Sequence, residues 1–144
     1  AYLQESVSRY RQMQFAGELG WALGGLALAQ DATGQPEAAQ TSLVEALNIA
    51  TQTRSMFAMV SCLAAMVSFL ARRGHLEAAL RVHRLALSWP VHQNSRWYAQ
   101  IIGDAMDAEW RALSPEQQAA MDAAVKKHTS FSIIPEVLSL LAPA

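Results

Sequence analysis

Apolar residues recur at helical spacing along most of the chain. Leu3, Val7, Tyr10 and Met13 follow one another at steps of four, three and three, which places them on one helical face. Similar patterns predict further helices at about residues 15–32, 36–51, 55–71, 76–89, 95–112, 115–128 and 135–141. The sequence therefore predicts an all-α fold of about eight helices. Acidic and basic residues four positions apart predict ion pairs within these helices, at Glu5–Arg9, Glu77–Arg81 and Asp107–Arg111.

Two of these helices are apolar on several faces. Residues 15–32 are nearly uncharged, and residues 55–71 contain no charged side chain. A membrane span is the alternative for the second segment, but its length is at the lower end for a span, and Arg54 and Arg72-Arg73 leave both ends equally positive. We expect two inner helices that neighbouring helices cover. Glycines at positions 17, 20, 24 and 25 indicate that another backbone approaches the first of them closely.

A short motif recurs after 40 residues. Residues 34–39 read GQPEAA and residues 74–79 read GHLEAA, and each run lies between an apolar segment and an Ala/Leu-rich one. Each run therefore marks the turn of a helix–turn–helix unit. A fixed period of this kind is typical of helical solenoids. We divide the chain into a half repeat (1–14), repeat 1 (15–53), repeat 2 (54–91) and irregular C-terminal capping helices (92–144).

The small and large residues around these turns resemble those of a tetratricopeptide repeat. The matching positions are Leu26, Gly34, Ala39, Ala46 and Leu47 in the first unit and Gly74, Ala79, Ala86 and Leu87 in the second. The resemblance implies antiparallel helix pairs stacked as a short right-handed α-solenoid. The long period, the Ala/Leu-rich style and residues 130–137 also resemble the C-terminal repeat regions of large multidomain bacterial transcriptional regulators and signalling ATPases.

Composition and charge limit the partners. The chain has 144 residues, of which 52% are hydrophobic and 16% charged, which excludes disorder and suits one domain. A net charge of -1 provides no general attraction for nucleic acid or an anionic membrane. The single Cys62 fits a reducing, cytoplasmic location. Because the first residue is Ala1 rather than Met, we expect a domain excised from a longer chain.

Motifs for catalysis and for metal or cofactor binding are not found. His75, His83, His92 and His128 form no HExxH pattern, Cys62 has no CxxC partner, and no phosphate-loop or GxSxG string occurs. Asp104, Asp107 and Glu109 suit an exposed helix face. The basic residues Arg72, Arg73, Arg81 and Arg84 lack interleaved aromatic residues, which disfavours nucleic acid. We therefore predict neither an enzyme nor a cofactor or metal site.

The candidate site is a concave groove formed by the first helix of each pair. With Gly34 and Gly74 as anchors, the residues expected in or near the groove are Trp21, Gly24, Leu28, Asp31, Ser61, Ala64, Ser68 and Arg72. Trp97, with Arg96 and Tyr98, forms a second candidate edge. The alternative for Trp21 and Leu28 is that they only belong to the core.

Binding is the predicted function. We predict a non-catalytic protein–protein interaction scaffold whose partner is an amphipathic helix, an extended peptide or another domain of the parent chain. The alternative is a small-ligand sensing domain that uses the apolar interior of the helical stack. A homodimer through exposed solenoid ends is a further alternative.

Overall fold

The computed structural model describes residues 2–142, and every regular element among them is helical. The elements are α1 (Tyr2–Met13), α2 (Ala16–Ala32), α3 (Pro36–Thr53), α4 (Met56–Arg72), α5 (Leu76–Leu87), α6 (Pro90–Gln93), α7 (Arg96–Tyr98), a π-helical segment (Ala99–Gly103), α8 (Asp104–Ala112), α9 (Pro115–Val125) and α10 (Ile134–Leu141). Because α7, the π-helical segment and α8 join without a break, residues 2–142 form nine helices packed together.

The ninth helix is the difference from the prediction. Pro90 was expected to end the fifth helix, but that helix ends at Leu87 and Pro90 begins the short helix α6. Proline suits this position because the first turn of a helix does not use its backbone N–H. The other eight helices agree with the prediction to within three residues at each end.

The two recurring glycines form turns, as the motif predicts. Gly34 and Gly74 have φ angles of +77° and +82°, and a side chain at either position would meet nothing within 4 Å. Glycine is therefore suited to these turns by its backbone conformation, since other residues rarely adopt positive φ. A third expected boundary is the start of α9. Ser114 Oγ accepts a hydrogen bond from the Gln117 amide at 3.2 Å, and Gln117 Oε1 accepts one from the Ser114 amide at 2.9 Å.

Glycines of α2 bring this helix close to α4. A methyl group at Gly17 would lie 3.0 Å from Ser55 Oγ, one at Gly20 would lie 2.8 Å from Ala58 Cβ, and one at Gly24 would overlap the Ser61 side chain. These pairs confirm the predicted close approach at three glycines. Gly25 differs, because its nearest neighbour would be Leu3 Cδ2 of α1 at 3.7 Å.

Helix α4 lies at the centre of the core. It packs against α2, α3, α5 and the π-helical segment, and twelve of its 17 residues are buried. Its apolar faces are thus covered by other helices, as expected for an inner helix. Among residues 2–142, no helix is long and apolar enough to cross a membrane.

The last helix, α10, packs against a helix from an early part of the chain. Helix α10 packs against α3, where Gln40 Nε2 donates a hydrogen bond to the Leu141 carbonyl at 2.6 Å. Its Ile134, Val137 and Leu141 are buried. Glu136 of α10 forms an ion pair with Arg81 of α5. Helix α10 therefore closes the core over α3 and α5.

Two local ion pairs expected from the sequence are replaced by long-range ones. Arg81 was expected to pair with Glu77 but pairs with Glu136. Asp107 was expected to pair with Arg111, but its Oδ1 lies 3.0 Å from Nε2 of His83. The partners are 55 and 24 residues apart, so helical spacing could not indicate them. The predicted Glu5–Arg9 pair is present, with 2.6 Å between Oε1 and Nη2.

Candidate functional site: an interhelical groove

A groove of about 630 Å³ lies over α2 and α4. Leu3 of α1, Trp97 of α7 and Ile101 of the π-helical segment form its sides. The remaining lining residues are Trp21, Gly25, Leu28, Ala29 and Ala32 of α2 and Val60, Ser61, Ser68 and Arg72 of α4. Four separate parts of the chain therefore converge on one mostly apolar surface.

A second depression, of about 760 Å³, is larger but makes a weaker candidate. All its lining residues come from the single helix α3, among them Glu37, Thr41 and Glu45. Side chains of one helix surface cannot surround a ligand, whereas binding sites are concave and lined from several sides. The groove over α2 and α4 is therefore the candidate site.

One end of the groove is aromatic. The rings of Trp21 and Phe57 stack with 5.5 Å between their centroids, and both side chains are exposed. Trp97 and Ile101 are also exposed beside the groove. The Trp21 backbone carbonyl accepts a hydrogen bond from Ser61 Oγ at 2.7 Å, which ties α2 to α4 at this end. An apolar surface of this kind can take up an apolar group from solution.

The other end of the groove is polar and contains a positively charged side chain, that of Arg72. Arg72 is 56% exposed, and its Nε lies 3.3 Å from Asp31 Oδ2. The neighbouring Arg73 places Nη1 3.2 Å from Asp31 Oδ1, while its guanidinium lies over the Phe69 ring. Asp31 thus serves two guanidinium groups, and the cluster has a net positive charge. Ser68 lies one helical turn before Arg72 and also lines the groove.

Most of the predicted site residues come together in this groove. Trp21, Leu28, Ser61, Ser68, Arg72 and Trp97 line it. Asp31 lies beside it, paired with Arg72. Ala64 is wrong as a groove residue, because it is 0% exposed and belongs to the core. Gly24 is likewise covered, by Ser61.

Only part of the predicted edge at residues 96–98 lies at the groove. Trp97 reaches the groove, whereas Tyr98 is buried in the core. Sequence reasoning missed Leu3 and Ile101, which come from distant parts of the chain. It also missed the α2 residues Gly25, Ala29 and Ala32, whose three- and four-residue spacing on the same face as Leu28 could have indicated them.

A buried polar cluster also escaped the sequence analysis. His83 Nδ1 lies 2.8 Å from the Tyr98 hydroxyl, and His83 Nε2 lies 3.0 Å from Asp107 Oδ1. His92 Nε2 donates to the Val60 carbonyl at 2.8 Å, and the His92 ring lies edge-on to Tyr98 at 5.0 Å. The histidine spacing in the sequence did not indicate this arrangement, because its members come from five helical segments, α4 to α8.

This cluster links helices, with His83 buried and the Asp107 side chain 45% exposed at its outer end. Burial lowers the pKa of His83 despite the neighbouring Asp107 carboxylate, and burial likewise lowers the pKa of His92. Neutral His83 then donates from Nε2 to Asp107 and accepts at Nδ1 from Tyr98. Burial raises the pKa of Tyr98, which keeps its hydroxyl protonated as that donor. Because His83 and Tyr98 are both buried, this chain of hydrogen bonds joins α5, α7 and α8.

The remaining reactive groups offer no further site. Cys62 is fully buried, and burial raises the pKa of its thiol to about 12, so the nucleophilic thiolate is not formed near neutral pH. Within residues 2–142, no three His, Cys, Asp or Glu side chains are grouped so that they could hold a metal ion.

Comparison with known proteins adds no assignment. No protein-family model matches the sequence, no curated protein matches it, and no solved structure matches the fold.

Proposed function

We propose that this chain is a non-catalytic domain whose groove over α2 and α4 binds a small, elongated and mostly apolar ligand. The observation that carries this proposal is the shape of the groove. Its volume of about 630 Å³ lies within the range of ligand sites, and residues of α1, α7 and the π-helical segment flank its floor. In such a domain the bound ligand would hold these helices in one arrangement, and this change would report that the ligand is present.

The contacts between helices support a tetratricopeptide-like stack as the scaffold of this site. Between α2 and α4, the matched positions rise together, from Gly17–Ser55 to Gly24–Ser61. Between α2 and α3 they run in opposite order, because Gly20 lies near Ile49 whereas Gln30 accepts a hydrogen bond from Ser42. This order is expected when antiparallel helix pairs stack with their first helices side by side. The scaffold would suit the regulatory part of a larger bacterial regulator.

A groove-filling substitution tests the ligand-binding function. Ala29 is exposed and lines the groove, so Ala29→Leu adds apolar volume inside the site without disturbing the core. Ala123→Leu makes the same change at an exposed position of α9 outside the groove. We expect 1-decanol to bind the wild type and Ala123→Leu equally in calorimetric titration. Ala29→Leu should bind 1-decanol roughly tenfold more weakly, because the larger side chain displaces about two methylene groups of the ligand from the groove.

The result that would contradict this function is equally clear. If 1-decanol does not bind, or binds Ala29→Leu as tightly as Ala123→Leu, the groove is not a small-ligand site.

A protein-interaction scaffold is the second candidate function, and the aromatic end of the groove favours it. Phe57 is 51% exposed and extends the apolar surface beyond the lining residues, while exposed tryptophans are typical of protein interfaces. A partner protein recovered on the immobilised domain should be lost with Phe57→Ala. It should be retained with Val91→Ala, which removes an equally exposed apolar side chain outside the groove. Retention with both variants would contradict this candidate.

A further inference from the structure

We infer that the ligand of the groove is an amphipathic carboxylate, such as a medium-chain fatty acid. Its acid group binds at Ser68 and Arg72, and its apolar chain lies along the groove toward Trp21 and Trp97. This inference rests on the small-ligand function proposed above and names the chemistry of the ligand.

Ser68 provides the first observation. Its residue surface is only 5% exposed, and what remains accessible faces the groove. The Ser68 hydroxyl makes no hydrogen bond to another group within residues 2–142. Its oxygen keeps some accessible surface, because the fully buried polar side-chain atoms without a partner in that range are Asp31 Oδ2, Arg81 Nε and His92 Nδ1. Ser61, the other serine among the described lining residues, differs because its hydroxyl already donates a hydrogen bond to the Trp21 carbonyl. The free hydroxyl of Ser68 is therefore a donor placed for a group that enters the groove.

Arg72 provides the second observation. It lies four residues after Ser68, so the two side chains leave the same face of α4. The shortest distance between Arg72 and Asp31 is 3.3 Å, from Nε to Oδ2, and the terminal nitrogens of Arg72 make no hydrogen bond within the described part of the chain. Arg73 also pairs with Asp31, so that single carboxylate leaves one positive charge in excess. The planar fork of an arginine matches the two oxygens of a carboxylate.

The rest of the groove defines the body of the ligand. Among the described lining residues, Arg72 is the only charged one, and most of the others are apolar. Arg72 lies eleven positions after Ser61, which is at the aromatic end, or about 17 Å further along the helix axis. A chain with one terminal acid satisfies both ends, whereas a second charge would lie among Leu28, Val60 and Ile101.

Calorimetric titration with charged and uncharged amphiphiles tests this inference. The probes are octanoate, decanoate and dodecanoate, with 1-decanol and decylamine as the uncharged and cationic comparisons. The variants are Ser68→Ala and Arg72→Gln. Arg111→Gln serves as the matched control, because it removes a positive charge from an exposed helical position outside the groove.

We expect the best of the three acids to bind the wild type and Arg111→Gln roughly tenfold more tightly than 1-decanol, with decylamine weakest. Arg72→Gln should remove this advantage, and Ser68→Ala should reduce it about threefold to tenfold. The affinity for 1-decanol should change much less than that for the acids in both variants, because its hydroxyl forms only the weaker hydrogen bonds of a neutral group. Retained binding of 1-decanol shows that the groove remains folded.

Each other outcome overturns a defined statement. If acids and 1-decanol bind equally and neither variant matters, the carboxylate inference is wrong while the small-ligand function stands. If decylamine binds best, the inference is also wrong. If neither the acids nor 1-decanol bind, both the inference and the small-ligand function fail, and a partner protein becomes the occupant to pursue.

Discussion

Replacement of Gly24 by alanine tests the close approach of α2 to α4. The added methyl group would overlap Ser61 Oγ and would lie 3.0 Å from Ser61 Cβ and 3.1 Å from the Cys62 backbone nitrogen. A serine hydroxyl can rotate away, but the Cβ atom and the backbone nitrogen cannot. The two helices must therefore separate by a few tenths of an ångström, and the tightly packed core resists this change.

Two opposing effects decide how much Gly24→Ala changes the free energy of unfolding. Overpacking a core costs about 1–3 kcal/mol. Alanine in a helix interior is favoured over glycine by about 0.5–1 kcal/mol. We expect Gly24→Ala to lower the free energy of unfolding by about 0.5–2 kcal/mol. Gly25→Ala is the matched control, because its methyl group meets only Leu3 Cδ2 at 3.7 Å. This control should raise the free energy of unfolding by about 0.5–1 kcal/mol.

Urea denaturation followed by circular dichroism measures the difference between these neighbouring glycines. The two variants should differ by about 1–3 kcal/mol, or roughly 3 °C in Tm for each kcal/mol in a domain of this size. Adding Ser61→Ala to Gly24→Ala should recover only part of the loss, because the Cys62 nitrogen stays in place. If Gly24→Ala proves as stable as Gly25→Ala, α2 and α4 do not pack as closely as argued here.

Three further predictions follow from single side chains. Because burial lowers the pKa of His92 below its ordinary 6.5, the unfolded chain takes up a proton that the folded chain does not, and stability should fall as the pH drops below about 6.5. His92→Gln keeps a donor for the Val60 carbonyl but removes the titrating group. The free energy of unfolding should therefore fall less between pH 7.5 and pH 5.5 in this variant than in the wild type, and an equal fall would contradict the prediction. Ser114→Ala should lower the free energy of unfolding by about 1 kcal/mol. Ser114→Thr should retain most of the wild-type stability, because threonine can also cap α9. The Cys62 thiol should react with a thiol-specific dye only in denaturant, and rapid labelling of the native protein would show that the core opens there.

Local signals account for the parts of the fold that could be predicted. The helix starts at Pro36 and Ser114 and the turns at Gly34 and Gly74 depend on the preferences of single residues for backbone conformations. The inner position of α4 follows from its lack of charge. The short helix α6 was missed because proline was taken as an end, while the same residue also suits a beginning.

The candidate site was predictable only on the helices that the repeat aligns. Residues of α2 and α4 such as Trp21 and Arg72 were identified from their register to the turn glycines. Ala64 was placed wrongly because it lies on the same stripe of α4 as Ser61 and Ser68 but is completely buried, which the spacing alone does not show. The pairings of Arg81 and Asp107 were also wrong, since each finds its partner on a helix that the sequence does not place beside it.

The sequence by itself thus determined the helices, their turns and the glycine positions at which α2 can approach α4. These features depend on residues within a few positions of one another, whose spacing is visible in the chain. Only the tertiary structure decided that Leu3 and Ile101 enclose the groove, that the Ser68 hydroxyl finds no hydrogen-bond partner among residues 2–142 and that Asp31 is shared by two arginines. Such contacts join distant parts of the chain, and their geometry depends on how whole helices pack.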